Sequence, residues 1–198
     1  ELFTEQNYYN VCTKQEYLKE YLKIEKIFGS ACVRLIKSDI AKKLKFPAGK
    51  LYEDTYYAYD LINVADSYVI MDAPYYNYFM RENSITNSKF NPRIFDLIEI
   101  VEKFHKMTYK HYPGLKEEAD CRKMYAYFSV LNSILLEKNY RDNEYYLEIL
   151  SYFKRNYISL LKNKYINRNR KLSVILIKLN IDLYRKVLMK YKKKIAGI

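Results

Sequence analysis

Phe46-Pro47-Ala48-Gly49-Lys50-Leu51-Tyr52-Glu53-Asp54 is the stretch from which the rest of the chain is read. A Pro-Ala-Gly turn delivers two adjacent carboxylates to the start of a helix predicted over Glu53–Val64. The exposed N–H groups and the macrodipole of a first helical turn favour negative charge, so the plain reading of Glu53 and Asp54 is that they begin the helix. Tyr57, Leu61 and Val64 follow at i, i+4 and i+7 as its inward stripe.

Downstream, Ser67–Met71 is a short β-branched and aromatic run, read as a strand and broken by Asp72-Ala73-Pro74. Residues 75–81 alternate as a second strand, and 84–92 form a loop. Upstream, residues 1–12 are polar and Tyr-rich without a clear period. Thr13 caps a helix, with Glu16 completing a capping box. That helix is expected to run to about residue 27, with Tyr17, Tyr21, Ile24 and Phe28 on one face and Gly29-Ser30 as its stop. Residues 31–45 read as a shorter helix carrying Val33, Leu35, Ile36, Ile40 and Leu44.

Beyond Asn91-Pro92 the pattern is helical throughout. Helices are expected over 94–109, 117–138, 143–162 and 171–195, with breaks at 111–114, near Asn139 and at Asn167-Arg168-Asn169-Arg170. The fold class is therefore α+β, mostly α: a mixed segment, 1–90, followed by a helical bundle, 91–198.

Composition agrees. Only 4 Gly and 4 Pro occur in 198 residues, which favours long helices over a loop-rich sandwich. The net charge is +12, yet residues 162–194 hold twelve Lys/Arg against one acid, Asp182, leaving 23 basic and 22 acidic residues elsewhere. A neutral body with a basic tail suits an anionic surface. Cys12, Cys32 and Cys121 form neither a disulfide framework nor a zinc pattern and fit a reducing cytosol. No run is long and apolar enough to span a membrane. The chain starts at Glu1 without Met, and we expect it to be a fragment.

Most site chemistries find no residues here. His105 and His111 are six apart with no acidic partner at ligand spacing, so no metal site is expected. No Gly-rich phosphate loop and no nucleophile elbow occur. Arg81, at the end of the strand 75–81 beside Asn83 and Ser84, has the fork needed to clamp a phosphate, although a surface salt bridge is its plainer fate.

Taken together, these residues resemble the C-terminal part of bacterial family 2 glycosyltransferases with the GT-A fold. That family carries a basic-Leu pair, then phe-pro-x-gly-x-x-tyr-glu-asp, a helix, a short strand and tyr-tyr-x-arg-x-arg-x-x-ser-ile. Arg34-Leu35, Phe46-Pro47, Gly49, Tyr52-Glu53-Asp54, Tyr76, Tyr78, Arg81 and Ser84-Ile85 occupy those places. Phe79 replaces the first Arg of the second motif, Thr55 follows the Glu-Asp pair where an acid is common, and no Asp-x-Asp occurs.

The resemblance implies the acceptor-side half of an inverting enzyme of surface polysaccharide synthesis, its nucleotide-binding half lying upstream. It assigns Asp54 as general base with Glu53 in support, and Arg81, Tyr52, Ser84 and Tyr78 to substrate binding. It implies a divalent cation, Mg or Mn, whose ligands are not in this chain. The partners are a nucleotide-sugar donor and a glycan or lipid-linked acceptor. Such a fragment is expected to be inactive alone.

Nucleic acid is not an expected partner, because no helix outside the tail interleaves basic and aromatic residues. The alternative is a non-catalytic membrane-docking or interaction helical domain. In the last predicted helix, Leu172, Leu176, Leu179, Leu183 and Val187 form one stripe. Ile177, Ile181, Tyr184, Leu188 and Ile195 widen the arc, and Arg185, Lys186, Lys192 and Lys193 border it. Such an arc either packs inside the bundle or docks residues 162–198 on an anionic membrane surface, which would place the parent enzyme at the cytoplasmic face of the cell membrane.

Overall fold

The computed structural model describes residues 9–27, 29–71, 75–77, 79 and 91–195. The fold is α+β and mostly α, and the chain divides into two units, Glu1–Lys89 and Phe90–Ile198.

In the first unit the elements run β1 (Tyr9–Thr13), α1 (Lys14–Lys23), a one-turn α2 (Ser38–Ala41), α3 (Glu53–Val64) and β2 (Ser67–Met71). Thr13 and Glu16 form the expected capping box, each side chain serving the other's backbone N–H. Helix α1 stops at Lys23, earlier than its apolar pattern predicts, because Ile24 adopts a left-handed conformation with φ 64°. Strand β2 lies where the sequence puts it, and among the described residues its partner lies upstream. It pairs antiparallel with β1, Tyr9 opposite Met71 and Thr13 opposite Ser67. The described residues Tyr75, Tyr76, Asn77 and Phe79 are not in a strand, and Tyr78, Met80 and Arg81 lie outside the described residues.

One face of this sheet, with Cys12 and Tyr68, is buried; Tyr17 of α1 stacks on Tyr68 with ring centroids 4.1 Å apart. The other face leaves Tyr9, Val11, Val69 and Met71 exposed. Helix α3 buries Tyr56, Tyr57, Ala58, Leu61 and Ile62, while Val64, expected inward, is exposed.

Residues 31–45 are not a helix. Ala31–Val33 make a single 3-10 turn, extended backbone follows at Arg34, and α2 adds four residues. Tertiary bonds outweigh the local pattern. The Ala31 N–H is taken by Asp54, the Arg34 guanidinium donates to the Gly29 and Ser30 carbonyls, and Val33 and Leu35 find no core and stay exposed.

The second unit comprises α4 (Asp96–His111), α5 (Lys116–Leu136), α6 (Tyr146–Arg155), α7 (Tyr157–Lys162), α8 (Arg168–Leu179) and α9 (Ile181–Ile195), with 3-10 turns at Pro92–Phe95, Pro113–Leu115 and Tyr140–Asp142. Helix α5 is central and packs against α4, α6, α7 and α9. Its Met124, Phe128, Leu131, Ile134 and Leu135 are fully or almost fully buried.

Two predicted helices are each two. Asn156 divides α6 from α7, its side-chain amide donating to the Tyr152 carbonyl at 2.8 Å. Asn180, in extended conformation, divides α8 from α9 and caps the Leu183 N–H at 3.0 Å. The stripe from Leu172 to Val187 is therefore not one continuous face. No helix among the described residues is long and apolar enough to cross a membrane.

Phe153 of α6 is fully buried, its ring 4.6 Å from that of Phe128. Phe153→Ala is expected to cost about 3–5 kcal/mol in the second unit, through lost burial and the cavity left behind. Urea unfolding followed by far-UV circular dichroism reads this as a lower midpoint for that unit's transition.

Candidate functional site

The turn before α3 is shaped by two residues with positive φ. Gly49 has φ 74° and Tyr52, the N-cap of α3, has φ 60° and ψ 32°. The Tyr52 carbonyl accepts the Thr55 N–H at 2.8 Å, so the helix begins immediately after the strained residue. Left-handed backbone at a large non-glycine residue is costly and persists where surrounding contacts impose it. Here Phe46 stacks on Tyr57, centroids 4.4 Å apart, and Lys50 lies over the Tyr56 ring at 5.7 Å, clamping the turn onto its own helix.

The two carboxylates meet different surroundings. Glu53 is exposed and has no partner among the described residues. Asp54 is half-buried, and its Oδ2 accepts the Ala31 N–H at 3.0 Å. That bond orients the carboxylate and leaves Oδ1 without a hydrogen bond among the described residues.

A third piece joins them through Cys32, which the sequence reading treats only as part of a cysteine count. The exposed Cys32 thiol is held below its ordinary pKa by hydrogen bonds from Ser30 and then from Tyr76, against the opposing charge of Asp54. Tyr76 belongs to the second half of the signature. The described residues thus bring Ser30, Cys32, Asp54 and Tyr76 together. Of the remaining candidates, Tyr52 sits in the turn, and Tyr78, Arg81 and Ser84 lie outside the described residues.

The second unit holds a polar cluster that sequence spacing hides. His105 finds an acidic partner far outside ligand spacing: its Nε2 lies 2.8 Å from Asp120 of α5, which also accepts the Tyr109 hydroxyl at 2.9 Å. Burial and then Asp120 push the Tyr109 phenol up to about 12. Beside it, Lys123 lies 2.7 Å from Glu102. Burial acts to raise the Glu102 carboxyl, but the hydrogen bond and charge of Lys123, aided by Tyr127, outweigh it and hold the group below its ordinary value. Partners so far apart in sequence carry no spacing signal. These pairs fasten α4 to α5.

Among the described residues, no group of three His, Cys, Asp or Glu side chains is placed to hold a metal ion. No family model, curated protein or solved structure matches the chain.

The convergence on Cys32 has a direct readout. Its alkylation by iodoacetamide is expected to reach half-maximal rate at a lower pH than for the urea-unfolded chain, because the folded thiol ionises earlier. Tyr76→Phe and Ser30→Ala are each expected to move that midpoint upward. A midpoint insensitive to Tyr76→Phe would separate the second half of the signature from Asp54.

Proposed function

We propose that the chain is the acceptor-side part of an inverting glycosyltransferase, of the family 2 type that its sequence resembles. It would transfer a sugar from a nucleotide-sugar donor to a glycan or lipid-linked acceptor in bacterial surface polysaccharide synthesis. One observation carries the reading: a half-buried carboxylate at a helix N-terminus, Asp54, lies beside a cysteine that also bonds Tyr76. Both halves of the signature therefore contribute to one neighbourhood.

In this reading the acceptor hydroxyl attacks the anomeric carbon, its proton passes to Oδ1 of Asp54, and the anomeric carbon's bond to the nucleoside diphosphate breaks. A carboxylate base is needed because an alcohol is a poor nucleophile at neutral pH. The Ala31 N–H fixes the carboxylate plane through Oδ2. Glu53, exposed one residue earlier, is free to meet the acceptor, and Tyr52, Tyr78, Ser84 and Arg81 complete the substrate-binding set. The divalent cation that the resemblance implies finds no ligand set among the described residues, and none of these roles runs through it. The parent enzyme is placed in the cytoplasm, peripheral to the inner face of the membrane. A second reading, a non-catalytic docking or interaction domain, draws on the exposed apolar and basic side of α9.

The test joins this chain to a nucleotide-binding half recovered from its own reading frame. Asp54→Asn is expected to lower kcat by about 10²–10⁴-fold with KM little changed, and Glu53→Gln to lower it less. Calorimetry of the chain alone with UDP-sugars and Mn²⁺ is expected to show no micromolar binding. An Asp54→Asn enzyme with undiminished transfer would remove the catalytic assignment and favour the docking reading.

A further inference from the structure

We infer that the outer side of α9 is a docking surface for an anionic lipid bilayer. This gives the membrane-peripheral placement proposed above a specific surface, one built by α9 alone.

The orientation of α9 is set by its inner side. Tyr184 and Leu188 are buried, and the Tyr184 hydroxyl donates to Asn132 Oδ1 of α5 at 2.8 Å. Arg185, which the sequence reading places on the basic border, turns inward instead. Its Nε donates to the Leu135 carbonyl at 2.7 Å, and its guanidinium lies over the Tyr140 ring at 4.8 Å. The helix cannot roll without breaking these bonds.

What this leaves outward is an apolar row beside a basic one. Leu183 and Val187 are each 48% exposed and Tyr191 is 62% exposed. At 3.6 residues per turn they share one side of the helix with Lys186, Lys190 and Lys194. The three lysines are exposed and have no ion-pair partner among the described residues. The only acid of α9, Asp182, is already matched: it accepts from the Tyr140 hydroxyl and pairs with Arg141 at 2.7 Å. The outward side is therefore apolar and uncompensated positive.

Three occupants compete for such a surface, and the chemistry separates them. A second copy meeting it through a two-fold axis would bring the three lysines against the same three lysines with no acid between them. A nucleic acid would use the lysines but would strand Leu183 and Val187, aliphatic groups with no base-stacking role. An anionic bilayer uses both rows: the apolar side chains enter the acyl boundary, while the lysine stems lie along it with their ammonium groups among the headgroups.

The experiment is co-sedimentation of the full chain with phosphatidylcholine vesicles, with and without phosphatidylglycerol. Binding is expected only to the phosphatidylglycerol vesicles and to fall as salt rises. The Lys186→Gln/Lys190→Gln/Lys194→Gln variant is expected to lower the partition coefficient by about a hundredfold. Leu183→Ser/Val187→Ser is expected to lower it by roughly tenfold. All five positions are exposed, so both variants are expected to keep the wild-type far-UV circular dichroism. Equal binding to both vesicle types, or wild-type binding by either folded variant, overturns the inference. So does a chain that ignores vesicles but shifts an RNA duplex, or one that forms a dimer dissolved by Leu183→Ser/Val187→Ser. None of these outcomes depends on sugar transfer, so the surface and the proposed enzyme activity stand or fall separately.

Discussion

One hydrogen bond, from the Ala31 N–H to Oδ2 of Asp54, decides the shape of the first unit's longest connection. The connection between α1 and α3 is long and has little regular structure, so its backbone groups need partners from outside it. Asp54 supplies one at the start of the 3-10 turn, and Arg34 supplies two more by folding back on Gly29 and Ser30. Through that turn the position of Cys32 follows, and Tyr76 comes within hydrogen-bonding reach of its thiol. A carboxylate that began as a helix-start residue thereby becomes the point to which the 3-10 turn is fastened. Its structural and its proposed chemical roles are compatible because they use different oxygens.

The second unit depends on a different constraint, the central place of α5. Packed against four other helices, α5 buries most of its apolar side chains, and Glu118 and Arg122 with them. Several of its other polar residues are tied to neighbouring helices. Asp120 and Lys123 meet partners on α4, and Asn132 receives the Tyr184 hydroxyl. The buried Asn163 donates to the Glu117 carbonyl at 2.7 Å, fixing the chain after α7 against the start of α5.

How much of this the sequence discloses depends on how far apart the cause and its effect lie. Helix α3, strand β2 and the Thr13 cap are legible because each rests on neighbours within a few residues: a Pro-Ala-Gly turn, a β-branched run, a Thr-x-x-Glu box. Strand β1 is not, because a short Tyr-rich segment with one buried side chain declares itself only when paired with β2. The helix expected over 31–45 fails for the reverse reason, since its apolar spacing is present and tertiary hydrogen bonds override it. Asn156 and Asn180 are weak signals inside apolar runs, and neither Asn looks like a terminator until its side chain is seen bonding the backbone. Of the site, Glu53, Asp54 and Tyr76 are marked by the family resemblance. Cys32 is not, since two of the three groups around its thiol, Asp54 and Tyr76, are remote in sequence.

The pairing of β1 with β2 also sets an order in time. Tyr9 meets Met71, so the sheet cannot close until about sixty residues of intervening chain have been brought back on themselves. Contacts in the second unit, by comparison, are mostly between successive helices, which loop closure penalises less. As the chain leaves the ribosome, Tyr9 and Val11 spend the whole synthesis of α1, α2 and α3 as an unpaired apolar segment. Within the first unit the earlier strand waits through three helices for its partner, and in that interval it is a segment in need of a chaperone.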